Sequence, residues 1–125
     1  MQSPSPSPID DRMLAFLAIA RAIARVKGKA IQMLNDTDLS VCYCIAREHP
    51  NALTHAEICE MMEEREQTCI FRSLQRMTEQ QVLSAEIVPV KTTRKVVTRY
   101  SLGPNAAAQI RFWADQFDAC SEESI

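Results

Sequence analysis

The side chains best suited to chemistry in this chain are Thr68, Arg72, Gln75 and Arg76, which recur at helical spacing, and the cations Lys91, Arg94 and Lys95 further on. Arginine and glutamine can each present paired hydrogen-bonding atoms to base edges, which assigns base reading to Arg72 and Gln75. Arg76 and Thr68 can reach phosphates, and Arg94 can enter a minor groove. For Arg76 a solvated position or a salt bridge to Glu79 stands beside the phosphate contact. Phe71 falls on the same face, where it can touch a thymine methyl or fold back onto a core. Cys69 does too, at the start of a helix, where the helix terminus lowers a thiol's pKa and makes oxidation a candidate switch. The alternative for Cys69 is a small polarizable residue with no sensing role.

Catalysis and metal binding find less support. There are only two glycines and two histidines, and no glycine-rich phosphate loop. No serine or cysteine has a base at motif spacing, so the chain reads as non-enzymatic, with no cofactor expected. Cys42 and Cys44 project to different sides of a helix and do not make a Cys-x-x-Cys pair. His55 and Cys59, four apart on one helix face, could share a metal or simply pack, and packing is the reading taken; no metal site is expected.

The elements that must position these residues follow from spacing. Thr54 and Glu57 form a capping box, which marks a helix start. Ile58, Cys59 and Met62 continue it, and the charged run Glu63-Glu64-Arg65-Glu66 sets a turn between Met62 and Glu66. From Gln67 the apolar stripe Ile70, Leu74 and Met77 predicts a second helix whose opposite face carries Thr68, Phe71, Arg72 and Gln75. Ala85 to Val90 and Val96 to Leu102 read as two short strands joined by Lys91-Thr92-Thr93-Arg94-Lys95. Helix, turn, helix and a hairpin with a cationic tip is the order of a winged helix-turn-helix, a double-stranded DNA-binding module.

Two phrases carry a resemblance. Ala46-Arg47-Glu48-His49-Pro50 followed by Leu53-Thr54-His55-Ala56-Glu57-Ile58-Cys59, and Thr68-Cys69-Ile70-Phe71-Arg72-Ser73-Leu74-Gln75-Arg76-Met77, resemble corresponding stretches of the multiple antibiotic resistance regulator (MarR) family. Arg94 to Pro104 is similar to that family's arginine-rich wing strand, and the resemblance covers roughly Asp36 to Asn105. It implies a winged helix-turn-helix regulator, more often a repressor, that binds a palindromic operator as a homodimer and leaves room for a small-molecule effector. The hairpin departs from the family by offering Thr92 and Thr93 where aspartates usually flank the wing arginine.

The segments outside that stretch complete the layout. Ser3 to Pro8 alternate Ser and Pro, and residues 1-8 read as a disordered tail. Residues 9-35 predict a long helix, capped near Asp10 or Asp11 and running through Met13, Leu14, Leu17, Ile19, Ile23, Val26, Ile31 and Leu34. The winged helix-turn-helix occupies 36-103, and a last helix with tail occupies 104-125, showing Ile110, Trp113, Phe117 and Cys120 at helical spacing and a second apolar edge at Phe112. Surplus apolar surface on both terminal helices predicts a dimer interface through Leu14, Leu17, Ile110, Trp113 and Phe117, as against two helices that only close a monomeric core. The fold class expected is mainly α with a small β-wing.

With 14 basic and 16 acidic residues the chain carries a net charge of −2, unlike a nonspecific nucleic-acid binder. From Arg65 to Arg99, however, seven cations face three acids, a local excess of four. Glu57, Glu60, Glu63 and Glu64 make the preceding helix and turn negative, and some must point away from a phosphate backbone. If they do not, a protein-docking winged helix, or a plasmid or phage partition or replication accessory protein, is the competing reading. No secretory signal and no apolar run of membrane-spanning length is visible, so a cytoplasmic location is expected.

Overall fold

The computed structural model describes residues 9–27 and 34–123. Its elements, in chain order, are α1 (Asp11–Lys27), α2 (Asp36–Arg47), β1 (Leu53–Thr54), α3 (His55–Met61), α4 (Gln67–Glu79), β2 (Leu83–Pro89), β3 (Val96–Leu102) and α5 (Ala106–Glu123). The Ser-Pro segment and Ile31 lie outside the described residues, as do the side chains of Val26 and Cys120. Leu34 is buried but not helical, so the first helix does not reach that far as one described run.

Local chemistry sets most boundaries. The Met13 N–H donates to Asp10 Oδ1 at 2.9 Å, capping α1 where a cap was expected. Asn35 caps α2 by accepting from the Asp38 N–H at 2.8 Å, and the Asp38 carboxylate accepts the Asn35 N–H in return at 3.3 Å. Thr54 and Glu57 do the same for α3, at 3.2 and 2.9 Å. Leu53 before that cap and Ile58 inside the helix are both buried, the arrangement of a hydrophobic staple.

α4 ends in a left-handed residue. Gln81 sits at φ 66°, which lets the Gln81 N–H reach Thr78 O at 3.1 Å and the Val82 N–H reach Met77 O at 2.9 Å, a Schellman closure. The chain then enters β2 directly. Gly103, after β3, returns to this point: its N–H donates to Val82 O at 2.8 Å, and a Cβ there would stand 2.4 Å from the Gln81 carbonyl oxygen. Only glycine lets the end of the hairpin close against the end of α4.

The sheet is antiparallel in the order β1-β3-β2. β2 and β3 pair from Leu83↔Leu102 to Pro89↔Val96, and β1 adds Leu53↔Tyr100 and Thr54↔Arg99 on the far side. The third strand was not expected from the sequence. At two residues it is too short to show alternation, and only its pairing with β3 makes it a strand.

One apolar cluster ties all the helices together. Leu17 of α1, Leu39, Val41 and Ile45 of α2, Ile58 of α3, Ile70, Leu74 and Met77 of α4 and Ile110 of α5 are fully buried in it. The terminal helices meet each other within this one chain: Phe16 and Phe117 pack edge to face at 5.7 Å, and Arg12 bridges to Asp118 at 3.0 Å and Asp115 at 3.6 Å. Leu17, Ile110 and Trp113, expected to face a second subunit, are therefore core residues of the chain itself. Leu14 and Phe117 are half-buried against the same core. Helical periodicity reports that a face is covered but not by what. Among the described residues, the large apolar side chains these helices leave at the surface are Ile19, 51% exposed, and Phe112, 59% exposed.

Candidate nucleic-acid interface

α4 is strongly two-sided. Ile70, Ser73, Leu74 and Met77 point inward, while Thr68, Cys69, Phe71, Arg72 and Gln75 are all exposed. The division matches the stripe read from spacing, so the sequence expectation for which face meets solvent holds on each of these residues. Thr78 closes the buried side by donating its hydroxyl to Leu74 O at 2.7 Å.

α3 crosses close to the start of α4. His55 Nε2 lies 3.1 Å from the Gln67 carbonyl oxygen, and its ring meets the edge of Phe71 at 5.6 Å. Phe71 therefore neither folds into the core nor stands free: it leans on α3 with 41% of its surface exposed. His55, with Ala56, Cys59, Glu60, Glu63 and Gln67, lines a groove of about 380 Å³. Among the described residues no cluster of metal-ligating side chains forms there. His55 and Cys59 share the groove, while burial pushes the Cys59 thiol's pKa up.

The acidic residues before α4 divide by role. Glu57 is used by the cap, and its carboxyl is held below the usual range by the Thr54 N–H first, against a penalty from burial, with the Thr54 hydroxyl and the charge of Arg99 adding smaller pulls in the same direction as the N–H. Glu64 reaches Arg25 of α1 at 3.7 Å. Glu60 and Glu63 remain exposed along the groove beside Gln67. Acid thus persists at one lip of the exposed α4 face.

The hairpin tip is cationic and open. Val90 N–H donates to Lys95 O at 3.0 Å and Thr93 N–H to Val90 O at 3.2 Å, closing a turn in which Lys91, Thr92, Thr93, Arg94 and Lys95 are all exposed. Thr93 accepts from the Lys95 N–H at 3.3 Å through its hydroxyl, the only side-chain bond at the tip among the described residues. Arg72, Lys91, Arg94 and Lys95 have no carboxylate partner among the described residues.

Arg76 is different. It points to α2, where its Nη2 donates to Asp38 Oδ1 at 2.5 Å and its Nε to Asp38 Oδ2 at 3.3 Å. Its carboxylate partner is Asp38 and not Glu79, because the buried Asp38 charge is within reach and must be compensated. Asp38, 1% exposed, was missed by the sequence reading. Its signal was the Asn35-x-x-Asp38 capping spacing, which announces a helix start but says nothing of a distant arginine.

The cysteines separate by environment. Cys42 is fully buried, and burial first, then the charge of Asp38 and nearby Cys44, pushes its thiol up to about 12. Cys44 is raised chiefly by burial as well. Cys69 is the exposed one among the described cysteines.

The architecture has counterparts among solved structures. A possible transcriptional regulator from Methanosarcina mazei superposes with a TM-score of 0.52 at 16% identity, over 95% of this chain and 98% of that one. A mutant of Lactococcus lactis ZitR superposes with a TM-score of 0.51 at 17% identity, over 87% of this chain and 77% of that one. No family model matches the sequence, and no curated protein does. At these identities the likeness is one of fold, and the shared fold is mostly helical with a small three-stranded antiparallel sheet, as a winged helix requires. No described helix is long and apolar enough to cross a membrane.

Proposed function

We propose that this protein is a sequence-specific, double-stranded DNA-binding transcriptional regulator of MarR-like type that acts in the cytoplasm as a homodimer, in the sense of a repressor, on a palindromic operator. The observation that carries the reading is the outward face of α4: Arg72 and Gln75, exposed, one helical turn apart and without a side-chain partner among the described residues, with Thr68 and Phe71 beside them, followed in the chain by an open hairpin tip of three cations. Arg72 and Gln75 read base edges in a major groove, Thr68 and Cys69 line the approach, Phe71 meets a thymine methyl, and Lys91, Arg94 and Lys95 contact the phosphates or minor groove alongside. One of the two solved structures of like fold is named a possible transcriptional regulator, which agrees with this reading without extending it to an operator.

The second copy in this proposal uses the outer surface of the terminal helices, where Ile19 and Phe112 are exposed. Two copies would then present their α4 helices to half-sites about 10 base pairs apart. Selection from a random duplex library tests the whole reading. A palindromic motif with that spacing supports it. No enrichment, with only weak salt-sensitive binding, would overturn it in favour of a protein-docking winged helix, which the exposed Glu60 and Glu63 at the edge of α4 favour.

A further inference from the structure

Two carboxylates near the start of α2 each hold an arginine that borders α4, and they do so at opposite ends of that helix. Asp38 takes Arg76, in the last turn of α4, by two separate nitrogens. Asp36 pairs with Arg65, which stands in the turn just before Gln67. Arg25 joins the same group from α1, 3.9 Å from Asp36 and 3.7 Å from Glu64 of the turn. Asp38 is anchored in turn, because its carboxylate also accepts the Asn35 N–H that starts α2.

Apolar packing alone leaves a helix some freedom to rotate or slide, since Ile70, Leu74 and Met77 fill space without direction. A planar guanidinium on a carboxylate does have direction, because its donors are fixed in one plane. The pair is half-buried, with Asp38 1% and Arg76 41% exposed, and such ion pairs are poor sources of net stability, so a fixed geometry is the better account of it. Base reading demands such a geometry, as a reading side chain must stand within about 0.5 Å of its productive position.

We propose that Asp38, supported by Asp36, is a positioning residue that fixes the rotation and height of α4 against α2, and so aims Arg72 and Gln75 without touching DNA itself. The proposal rests on the DNA-binding reading of α4. It makes Arg76 an internal strut and removes it from the set of phosphate contacts.

The test uses the full chain with Asp38→Asn and, separately, Arg76→Lys. Asparagine keeps the shape but sets an amide donor against the guanidinium. Lysine keeps a charge opposite Asp38 and loses only the fork, so it remains informative if Asp38→Asn fails to fold. The reading is affinity for the selected duplex relative to an unrelated duplex of equal length, taken well below each variant's thermal midpoint, with amide hydrogen exchange measured on the free proteins. A positioning role predicts that the ratio falls about tenfold in both variants while affinity for the unrelated duplex and its salt slope are unchanged. It also predicts faster exchange from Gln67 to Glu79 with α5 unaltered. A lower thermal midpoint with an unchanged ratio would make the pair merely structural and overturn the proposal. So would tighter binding of Asp38→Asn to every duplex, the result expected if the freed Arg76 is a phosphate contact. Should the wild type show no preference among duplexes, the DNA reading itself fails, and exchange alone then decides: faster exchange confined to α4 upholds the clamp, and unchanged exchange overturns it.

Discussion

α4 and α5 are both amphipathic helices with a fully buried stripe, yet their outer faces are organised differently. On α5 the described charges are tied back to the first helix and its cap: Asp115 and Asp118 hold Arg12, and Arg111 lies 3.8 Å from Asp10. On α4 the outward residues Arg72 and Gln75 have no such partner among the described residues, while Arg76, 41% exposed, reaches back to the buried Asp38. The contrast teaches that polar groups on α5 serve adhesion within the chain, whereas α4 is held from behind and kept open in front. An unpaired arginine beside an exposed aromatic is a surface available to a ligand.

The sharpest way to break that contrast is at Trp113. Trp113→Ala should cost about 3 to 5 kcal/mol of stability, because it empties a core position, while Phe112→Ala next to it, which empties no position in the chain's own core, should cost less than about 0.5 kcal/mol at protein concentrations where the chain is monomeric. Urea unfolding measures both, and near-equal small effects would mean that α5 is not part of the core. Sedimentation of Phe112→Ser adds the second half of the comparison: a fall from dimer to monomer mass is expected, and a monomeric wild type would remove the proposed interface.

Arg72→Ala should leave the unfolding midpoint unchanged and weaken binding to the selected duplex by about 1 to 3 kcal/mol, with relaxed preference at one base position. Unaltered preference in a titration would strip Arg72 of the reading role and erase the distinction between α4 and α5. Gly103→Ala tests how the wing is set against α4. The added Cβ meets backbone at Gln81, so a loss of about 1 to 3 kcal/mol is expected by thermal denaturation, and a neutral result would show that this junction can relax.

Thr54→Ala should cost about 1 kcal/mol through loss of the α3 cap. The partner Glu57 gives this a pH signature. Its carboxyl is depressed in the folded chain, so its contribution is complete above the ordinary carboxylate range and is lost as pH falls through the depressed folded value. Wild type and Glu57→Gln should therefore converge in stability on acidification, and a constant gap would deny the cap its charge. The smallest expected effect belongs to Lys95→Ala, which should weaken all duplexes alike and reduce the salt slope by about 1.

Much of the helix-turn-helix half could be read in advance. The Thr54 and Glu57 pair, the turn after Met62, the Ile70, Leu74 and Met77 stripe and the bounds of β3 all depend on residues a few positions apart, and they stand as expected. β2 begins at Leu83, earlier than Ala85, because the left-handed Gln81 turns the chain straight into pairing with Leu102. The candidate site was legible on its exposed side and not on its buried side. Thr68, Phe71, Arg72 and Gln75 follow from helical phase, whereas the partner of Arg76 lies 38 residues away and has no local trace.

The sequence by itself determined where α1, α3 and α4 start, which face of α4 is apolar, and which polar residues stand on its opposite face. These are short-range properties, set by capping bonds and by the 3.6-residue period. Tertiary structure alone decided what covers each apolar face and what each charge meets. It placed Leu17, Ile110 and Trp113 in the chain's own core, closed the sheet with β1 and turned Arg76 inward onto Asp38. The physical reason is that burial and ion pairing depend on distance in space, and residues 106 apart, such as Arg12 and Asp118, come within hydrogen-bonding distance only once the whole chain has packed.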